Sequence, residues 1–257
     1  MRTLLAAVII AVAILAAVAT RAQEAPARPP ITVSAAVSLT DALAAVAKIY
    51  TPSFGGPVRF NFAASNVLAR QIVNGAPVDL FISADDRQMD VVARAGLLRE
   101  GSRIDLLTNQ LAIVVPGDRP ETLTGIRALA DPKFRRIAIG DPAAVPAGVY
   151  AKQYLDGEGI WAALEPRLVP SVSVRAALGA VESGAVDAAI VYRTDARLST
   201  RASIAWVVPR ERGPHIVYPG AVVRTSAHPE DAQRFLDFLR AASAAPVFER
   251  FGFTIAR

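Results

Sequence analysis

The sequence predicts a two-lobed α/β protein. From residue 31 onward, strand-like runs rich in β-branched residues alternate with helical patterns, which is typical of βα units around largely parallel sheets. In LLTNQLAIVVP a strand begins without a preceding helix, and in VPRERGPHIVYP two strand-like runs are separated only by polar and Pro/Gly residues. We interpret these two places as crossings between lobes. The prediction is a discontinuous first lobe from 31–108 and 214–257, and a second lobe from 109–213. Each lobe would be a mixed, mostly parallel sheet flanked by helices, with a ligand in the cleft between them.

The first 22 residues have the pattern of a cleavable secretory signal peptide. Arg2 supplies a basic start, residues 4–18 are almost purely Leu, Ala, Val and Ile, and the segment 1–22 ends in a small residue, Ala22. This apolar run approaches the length that a bilayer requires, so an uncleaved membrane anchor is the alternative. Residues 23–30, QEAPARPP, indicate a flexible lead-in to the first strand.

Composition restricts the classes of function. The chain has no cysteine, which excludes disulfides, Cys-ligated metals and lipid attachment through an N-terminal cysteine. An exported chain without a lipid anchor is kept near the cell only by a second membrane, so we expect a Gram-negative periplasm. The net charge of +5 falls by two units when Arg2 and Arg21 leave with the signal peptide, and acidic and basic residues are mixed. No nucleic-acid partner is predicted from this balance.

Two serines lie where a strand changes into a helix. Ser38 follows the apolar run ITVSAAV and precedes LTDALAAV; with Asp41 three residues later, it is predicted to be an N-cap in a variant capping box. Ser65 repeats the arrangement after RFNFAA and before NVLARQIV. Capping of their own helices is a sufficient explanation for both serines, and contact with a ligand is the alternative.

Two further helix starts carry no polar side chain. The loop in GDPAAVPAGVYAKQYL leads into a helix that Pro146 can open, and Ala147 and Gly148 leave its first N–H groups unobstructed. Another helix begins near Val174. Free N–H groups and the partial positive charge of helix N-termini can form an anion site from neutral groups, whereas ordinary packing is the alternative. Tyr192 ends the strand AAIVY, and its hydroxyl is either a structural hydrogen-bonding group or one more neutral donor.

Six stretches between residues 31 and 257 carry a family resemblance: ITVSAAVSLTDAL, LARQIVNGAPVDLFISAD, IGDPAAVPAGVYAK, SVRAALGAVESG, IVYRTDA and FERFGFTIAR. In this order they resemble the periplasmic molybdate-binding proteins of ABC importers. The resemblance implies a type II periplasmic binding fold with a tetrahedral oxyanion in the cleft. It implies molybdate, and tungstate as well, as the transported ligand, with no cofactor and with molybdenum present only in the oxyanion. The implied partner is the transmembrane permease of the importer, and we expect the binding protein to be a monomer.

The resemblance also assigns ligand contacts. By motif they fall on Ser38 and Ser65 through hydroxyl and amide, on Ala147 and Val174 through the amide, and on Tyr192 through its hydroxyl. Many relatives have a run of serines before LARQI, whereas this chain has AASNV. Aligned on the residues that follow, Ser65 is the ligand position, because an alanine precedes it.

Other residues and ligands give the alternatives. The motif FISAD ends at Asp85, and Asp86 follows; we interpret both as structural or surface groups, because a carboxylate would repel an anion. A sulfate or other small-oxyanion binding protein is the second hypothesis. A hydrolase with a serine nucleophile is the third, but there is no G-x-S-x-G motif, and the two histidines, His215 and His228, lie in segments predicted to be away from the cleft.

Overall fold

The strands of the computed structural model form two sheets. The structure describes residues 28–54 and 56–256; the predicted signal peptide, 1–22, lies outside them, as does most of the lead-in. The described strands are β1 (Ile31–Ala36), β2 (Val58–Ala63), β3 (Leu80–Ile82), β4 (Ile104–Asn109), β5 (Leu111–Pro116), β6 (Ile137–Gly140), β7 (Leu168–Ser171), β8 (Ala188–Tyr192), β9 (Ala202–Val207), β10 (Ile216–Val222) and β11 (Thr254–Ile255). The first sheet has the order β11-β4-β10-β3-β1-β2, and the second has the order β7-β6-β8-β5-β9.

Helices follow most of the strands. The described α-helices are α1 (Thr40–Phe54), α2 (Ser65–Val73), α3 (Asp86–Arg94), α4 (Pro146–Gly157), α5 (Trp161–Leu164), α6 (Val174–Glu182), α7 (Arg193–Leu198), α8 (Pro229–Arg240) and α9 (Ala245–Arg250). Short 3-10 helices occur at Val37–Leu39, Ile126–Ala130 and Glu165–Arg167. Of the helices described here, none is long and apolar enough to cross a bilayer.

Parallel pairing is confined to one part of each sheet. Strand β1 pairs in parallel with β2 and β3, and β6 pairs in parallel with β7 and β8. Strand β10 is antiparallel to β3 and β4, β11 to β4, and β5 to β8 and β9. Two mixed sheets flanked by helices are therefore confirmed. Parallel pairing is less extensive than predicted, because the strands next to the crossings, β5 and β10, enter their sheets in the opposite direction.

The two crossings between the sheets lie side by side. The chain leaves the first sheet at Asn109 and enters the second at Leu111, so Gln110 alone joins β4 to β5. The return runs from the end of β9 to the start of β10. The side-chain amide of Gln110 donates to the carbonyl of Val208 at 2.9 Å, which ties the outgoing segment to the returning one. The two connections between the sheets are therefore adjacent.

Candidate functional site

All five predicted contact residues line one cavity. It lies between the first turns that follow β1, β2 and β3 on one side, and the starts of α4, α6 and α7 on the other. We call it the central cavity; its lining residues are Ala36, Val37, Ser38, Ala64, Ser65, Ala84, Val145, Pro146, Ala147, Val174 and Tyr192. Every lining residue is neutral. The five predicted residues are buried, each with at most 4% of its surface exposed.

Ser38 does not cap its helix as predicted. It lies inside the 3-10 helix Val37–Leu39, and α1 begins only at Thr40, whose hydroxyl donates to the carbonyl of Val37 at 2.7 Å. The Ser38 Oγ instead lies 3.1 Å from the hydroxyl of Tyr218, a residue 180 positions away in sequence. The capping prediction is wrong because this long-range hydrogen bond engages the hydroxyl that a cap would use.

Ser65 is also not an N-cap. It is the first residue of α2, and Ala64 occupies the N-cap position. The Ser65 Oγ accepts a hydrogen bond from the backbone N–H of Ala84 at 2.9 Å. A hydroxyl is both donor and acceptor, and a backbone N–H can only donate. The Ser65 proton is therefore available for another partner, and the residue lines the central cavity.

The start of α4 is held against the end of β6 by two glycines. The helix begins at Pro146, as predicted. A Cβ atom added to Gly148 would lie 2.0 Å from the carbonyl oxygen of Gly140, so only glycine permits this contact. Gly148 therefore has a packing role in addition to the one that the sequence predicted. The contact places Ala147 at the cavity, and its N–H, at the second helical position, has no acceptor within α4.

The start of α6 is where the sequence predicted it. Val174 is the first helical residue, and the side chain of the N-cap residue Ser173 accepts from the N–H of Ala176 at 3.1 Å. The cap thus satisfies the N–H of the third helical residue. The N–H of Val174 itself has no acceptor within its own helix, and Val174 lines the central cavity.

Tyr192 supplies an unpaired hydroxyl. It is the last residue of β8 and is 1% exposed. Its hydroxyl is buried without a hydrogen-bond partner in the described part of the chain. Burial raises the pKa of Tyr192 well above its ordinary value, so the phenol keeps its proton at neutral pH. A buried polar group without a partner costs roughly 1–3 kcal/mol, so a bound molecule that accepted from the Tyr192 hydroxyl would remove this cost.

The guanidinium that follows Val174 is paired with two carboxylates. Arg175, which follows Val174, lies 2.7 Å through Nη2 from the Asp41 carboxylate of α1 and also pairs through Nε with the buried Asp195. Asp41 is therefore an ion-pair partner and not part of the predicted capping box. One guanidinium between two carboxylates leaves no excess positive charge, so attraction of an anion depends on the neutral donors.

Asp85 and Asp86 have different roles, and neither lines the cavity. Asp85 is buried and caps α3, accepting from the N–H of Gln88 at 2.9 Å. Burial raises the pKa of Asp85 to about 6. Asp86 is exposed and pairs with Arg103 at 2.6 Å. The structural and surface interpretations therefore hold for Asp85 and Asp86 respectively.

The two histidines lie away from the central cavity. His228 occupies the N-cap position of α8, and its backbone N–H donates to the Asp79 carboxylate at 3.3 Å. His215 lines a separate groove beside the two crossings. A serine nucleophile at the cavity has no imidazole beside it in the described residues, as the predicted placement of both histidines required.

Two buried residues that are linked to Ser38 by hydrogen bonds were not predicted from the sequence. Tyr218 lies in the middle of β10, and Asn109 ends β4; both are buried. The Tyr218 hydroxyl contacts Ser38, and Asn109 contacts the Tyr218 hydroxyl. Neither residue lies at a strand-to-helix junction, which was the signal that identified the other five.

The fold and the site define a class: a two-lobed solute-binding protein with a cavity of neutral hydrogen-bond donors between its sheets. The chain belongs to the bacterial extracellular solute-binding protein family, which matches residues 31–254. This family consists of binding proteins, so the protein is not an enzyme and the hydrolase hypothesis is wrong. The chain is 38% identical over 231 residues to the molybdate-binding protein ModA of Escherichia coli, covering 88% of this chain and 89% of the relative.

Solved structures share the fold. The periplasmic molybdate-binding protein of Azotobacter vinelandii superposes with a TM-score of 0.77 at 24% identity, covering 88% of this chain and 100% of the other. The sulfate-binding protein SubI from Mycobacterium tuberculosis superposes with a TM-score of 0.75 at 20% identity, covering 88% and 86%. Proteins named for two different anions thus have this fold, so the choice of anion depends on the residues of the cavity.

Proposed function

We propose that this protein captures molybdate, and tungstate as well, in the central cavity and delivers it to the permease of an ABC importer. The observation that carries the proposal is the cavity itself. Hydroxyl and backbone N–H donors from five separate elements meet there without a charged side chain, and the Tyr192 hydroxyl is buried with no protein partner. The relatives named as molybdate-binding proteins support this choice of ligand.

Neutral donors suit an oxyanion that carries no proton. All oxygens of molybdate can accept hydrogen bonds, and every proposed contact can donate one: the hydroxyls of Ser38, Ser65 and Tyr192 and the N–H groups of Ser38, Ser65, Ala147 and Val174. Hydrogen bonds to a charged group contribute roughly 1.5–3 kcal/mol each. Several such bonds exceed the cost of about 4–15 kcal/mol for association only when most of them form at once, so a complete shell of donors is required for tight binding.

Export and delivery are part of the same proposal. We propose that residues 1–22 are a signal peptide, that the mature chain is a periplasmic monomer, and that an ABC permease receives the anion. The family of extracellular solute-binding proteins supports export, and the relatives named for molybdate support the transport role.

Calorimetry on a Tyr192→Phe variant tests the proposal. The wild-type protein is expected to bind molybdate, and the variant is expected to bind it about tenfold to a hundredfold more weakly, because one hydrogen bond to a charged group is lost. Because the hydroxyl has no partner in the described chain, its removal should leave the thermal midpoint of the ligand-free protein unchanged or higher.

The matched control is Tyr154→Phe. This variant also loses a tyrosine hydroxyl, but Tyr154 lies in α4 and lines a different surface groove. The affinity of the variant for molybdate should therefore equal that of the wild type. No binding of molybdate by the wild-type protein would refute the proposed function. Full affinity in Tyr192→Phe would remove Tyr192 from the site.

Closure of the two lobes is expected on binding. We propose lobes of 31–108 with 214–257 and of 109–213, and the proposed donors come from both, so one anion can contact all of them only when the cleft is shut. Small-angle scattering should show a smaller radius of gyration with molybdate than without it, and the forward scattering should correspond to one chain. An unchanged radius in saturating molybdate would contradict closure about the paired crossings.

A further inference from the structure

A chain of buried hydrogen bonds ends at Ser38. Asn109 Nδ2 lies 3.0 Å from the hydroxyl of Tyr218, and that hydroxyl lies 3.1 Å from Ser38 Oγ. Asn109 Nδ2 also lies 2.9 Å from the hydroxyl of Thr194 in α7. All four residues are at most 5% exposed. This chain of hydrogen bonds begins at the crossing between the sheets and reaches the central cavity.

The orientation of the Asn109 amide follows from its neighbour. Asn109 Oδ1 accepts the backbone N–H of Gln110 at 2.8 Å, and a backbone N–H can only donate. The nitrogen of the same amide must therefore face Tyr218 and Thr194. It has two N–H groups for two hydroxyl oxygens, so both hydroxyls accept from Asn109.

The direction of the remaining bond then follows. The Tyr218 oxygen accepts from Asn109, so its own proton is free, and Ser38 Oγ is the acceptor within reach of it. Burial raises the pKa of Tyr218, which keeps that proton on the phenol. Ser38 Oγ then accepts from Tyr218, and the proton of the Ser38 hydroxyl can point into the central cavity. Ser65 has the same arrangement, with the N–H of Ala84 in place of the tyrosine.

We propose that Asn109 and Tyr218 are positioning residues of the anion site, which set the direction of this chain so that Ser38 donates to the bound oxyanion. The inference rests on the proposed function, because it assigns these residues a role in the same site. Neither residue lines the cavity, so both act through Ser38. The two serines thus become donors by two routes: Ser65 through a backbone amide, and Ser38 through a side-chain relay that begins between the lobes.

The substitution Asn109→Asp tests the direction of the hydrogen bonds between Asn109, Tyr218 and Ser38. Aspartate has nearly the shape of asparagine and can still accept from the N–H of Gln110, but its second oxygen has no proton to donate. Tyr218 would then donate to that oxygen and accept from Ser38, which turns the serine proton away from the anion. We expect affinity for molybdate to fall by roughly tenfold to a hundredfold.

A second background separates this effect from charge repulsion. The new carboxylate repels an anion whether or not Ser38 is present, so the same substitution is made in Ser38→Ala. Calorimetry should show a loss at least about tenfold greater with Ser38 than without it, as expected for two groups in one hydrogen-bond network. Equal losses in the two backgrounds would overturn the relay while the proposed function stands. Absence of molybdate binding by the wild-type chain would overturn both.

Tyr218→Phe keeps the proposal testable if the aspartate variant does not fold. It removes the donor to Ser38 and lets the serine hydroxyl rotate, so we expect affinity for molybdate to fall by about threefold to tenfold when Ser38 is present, which is the lower part of the range for one hydrogen bond. In Ser38→Ala the same change should have no effect on affinity. A purely structural role for Tyr218 would instead weaken binding equally in both backgrounds, and that result would refute the relay.

Discussion

Replacement of Gly148 with alanine is expected to destabilise the fold and to weaken anion binding together. The added Cβ would lie 2.0 Å from the carbonyl oxygen of Gly140 and 2.7 Å from that of Asp141, and both are backbone atoms that cannot rotate away. The first turn of α4 must therefore move from the end of β6. Overpacking of this kind costs about 1–3 kcal/mol of unfolding free energy, occasionally more. Because Ala147 precedes Gly148, its N–H moves as well, and we expect affinity for molybdate to fall tenfold or more.

Gly179→Ala is the matched control. Gly179 lies within α6, and a Cβ added there meets nothing within 4 Å. Alanine in a helix interior is favoured over glycine by roughly 0.5–1 kcal/mol, so this variant should be slightly more stable than the wild type. Chemical denaturation and calorimetry on the two variants measure both effects. Wild-type affinity and stability in Gly148→Ala would show that the Gly140 contact does not position the start of α4.

Local sequence signals predicted the parts of the site that depend on local structure. Pro146 opens a helix because its ring fixes the backbone angle that a first helical residue adopts, and the structure places it there. Val174 begins α6 and Tyr192 ends β8, each at a change of hydrophobic period. Junctions of this type collect at one side of a sheet when strands are parallel, which explains why the five residues meet in one cavity.

Long-range contacts decided what the local signals could not. Ser38 has the residue type and position of an N-cap, but a tyrosine 180 positions away engages its hydroxyl. Ser65 is engaged by the N–H of Ala84, a backbone group that any residue type except proline would supply. Strand direction near the crossings could not be predicted from the sequence either, because the hydrophobic pattern of β10 is the same whether the strand pairs in parallel or antiparallel. Tyr218 and Asn109 became visible only when the strands were placed side by side.

Phosphate is expected to bind at least tenfold more weakly than molybdate. Phosphate retains a proton at neutral pH, whereas molybdate, tungstate and sulfate do not, and that proton requires an acceptor. None of the residues lining the central cavity is a carboxylate, and a hydroxyl that accepted the phosphate proton would no longer donate its own proton to the anion. A buried donor left unpaired costs roughly 1–3 kcal/mol, and 1.4 kcal/mol corresponds to about a factor of ten.

Size should separate the anions that carry no proton. Sulfate is smaller than molybdate and cannot contact all of the donors at once, so the expected order is molybdate close to tungstate, then sulfate, then phosphate. A thermal-shift series at one anion concentration measures the order, because a ligand that binds only the folded state raises the midpoint according to its affinity. Arsenate is the control: it is larger than phosphate but also protonated, so weak binding of both would assign the rejection to the proton and not to size. A sulfate shift equal to that of molybdate would favour the sulfate hypothesis. A phosphate shift equal to that of molybdate would mean that an acceptor faces the ligand, and would contradict a site in which every group donates to the anion.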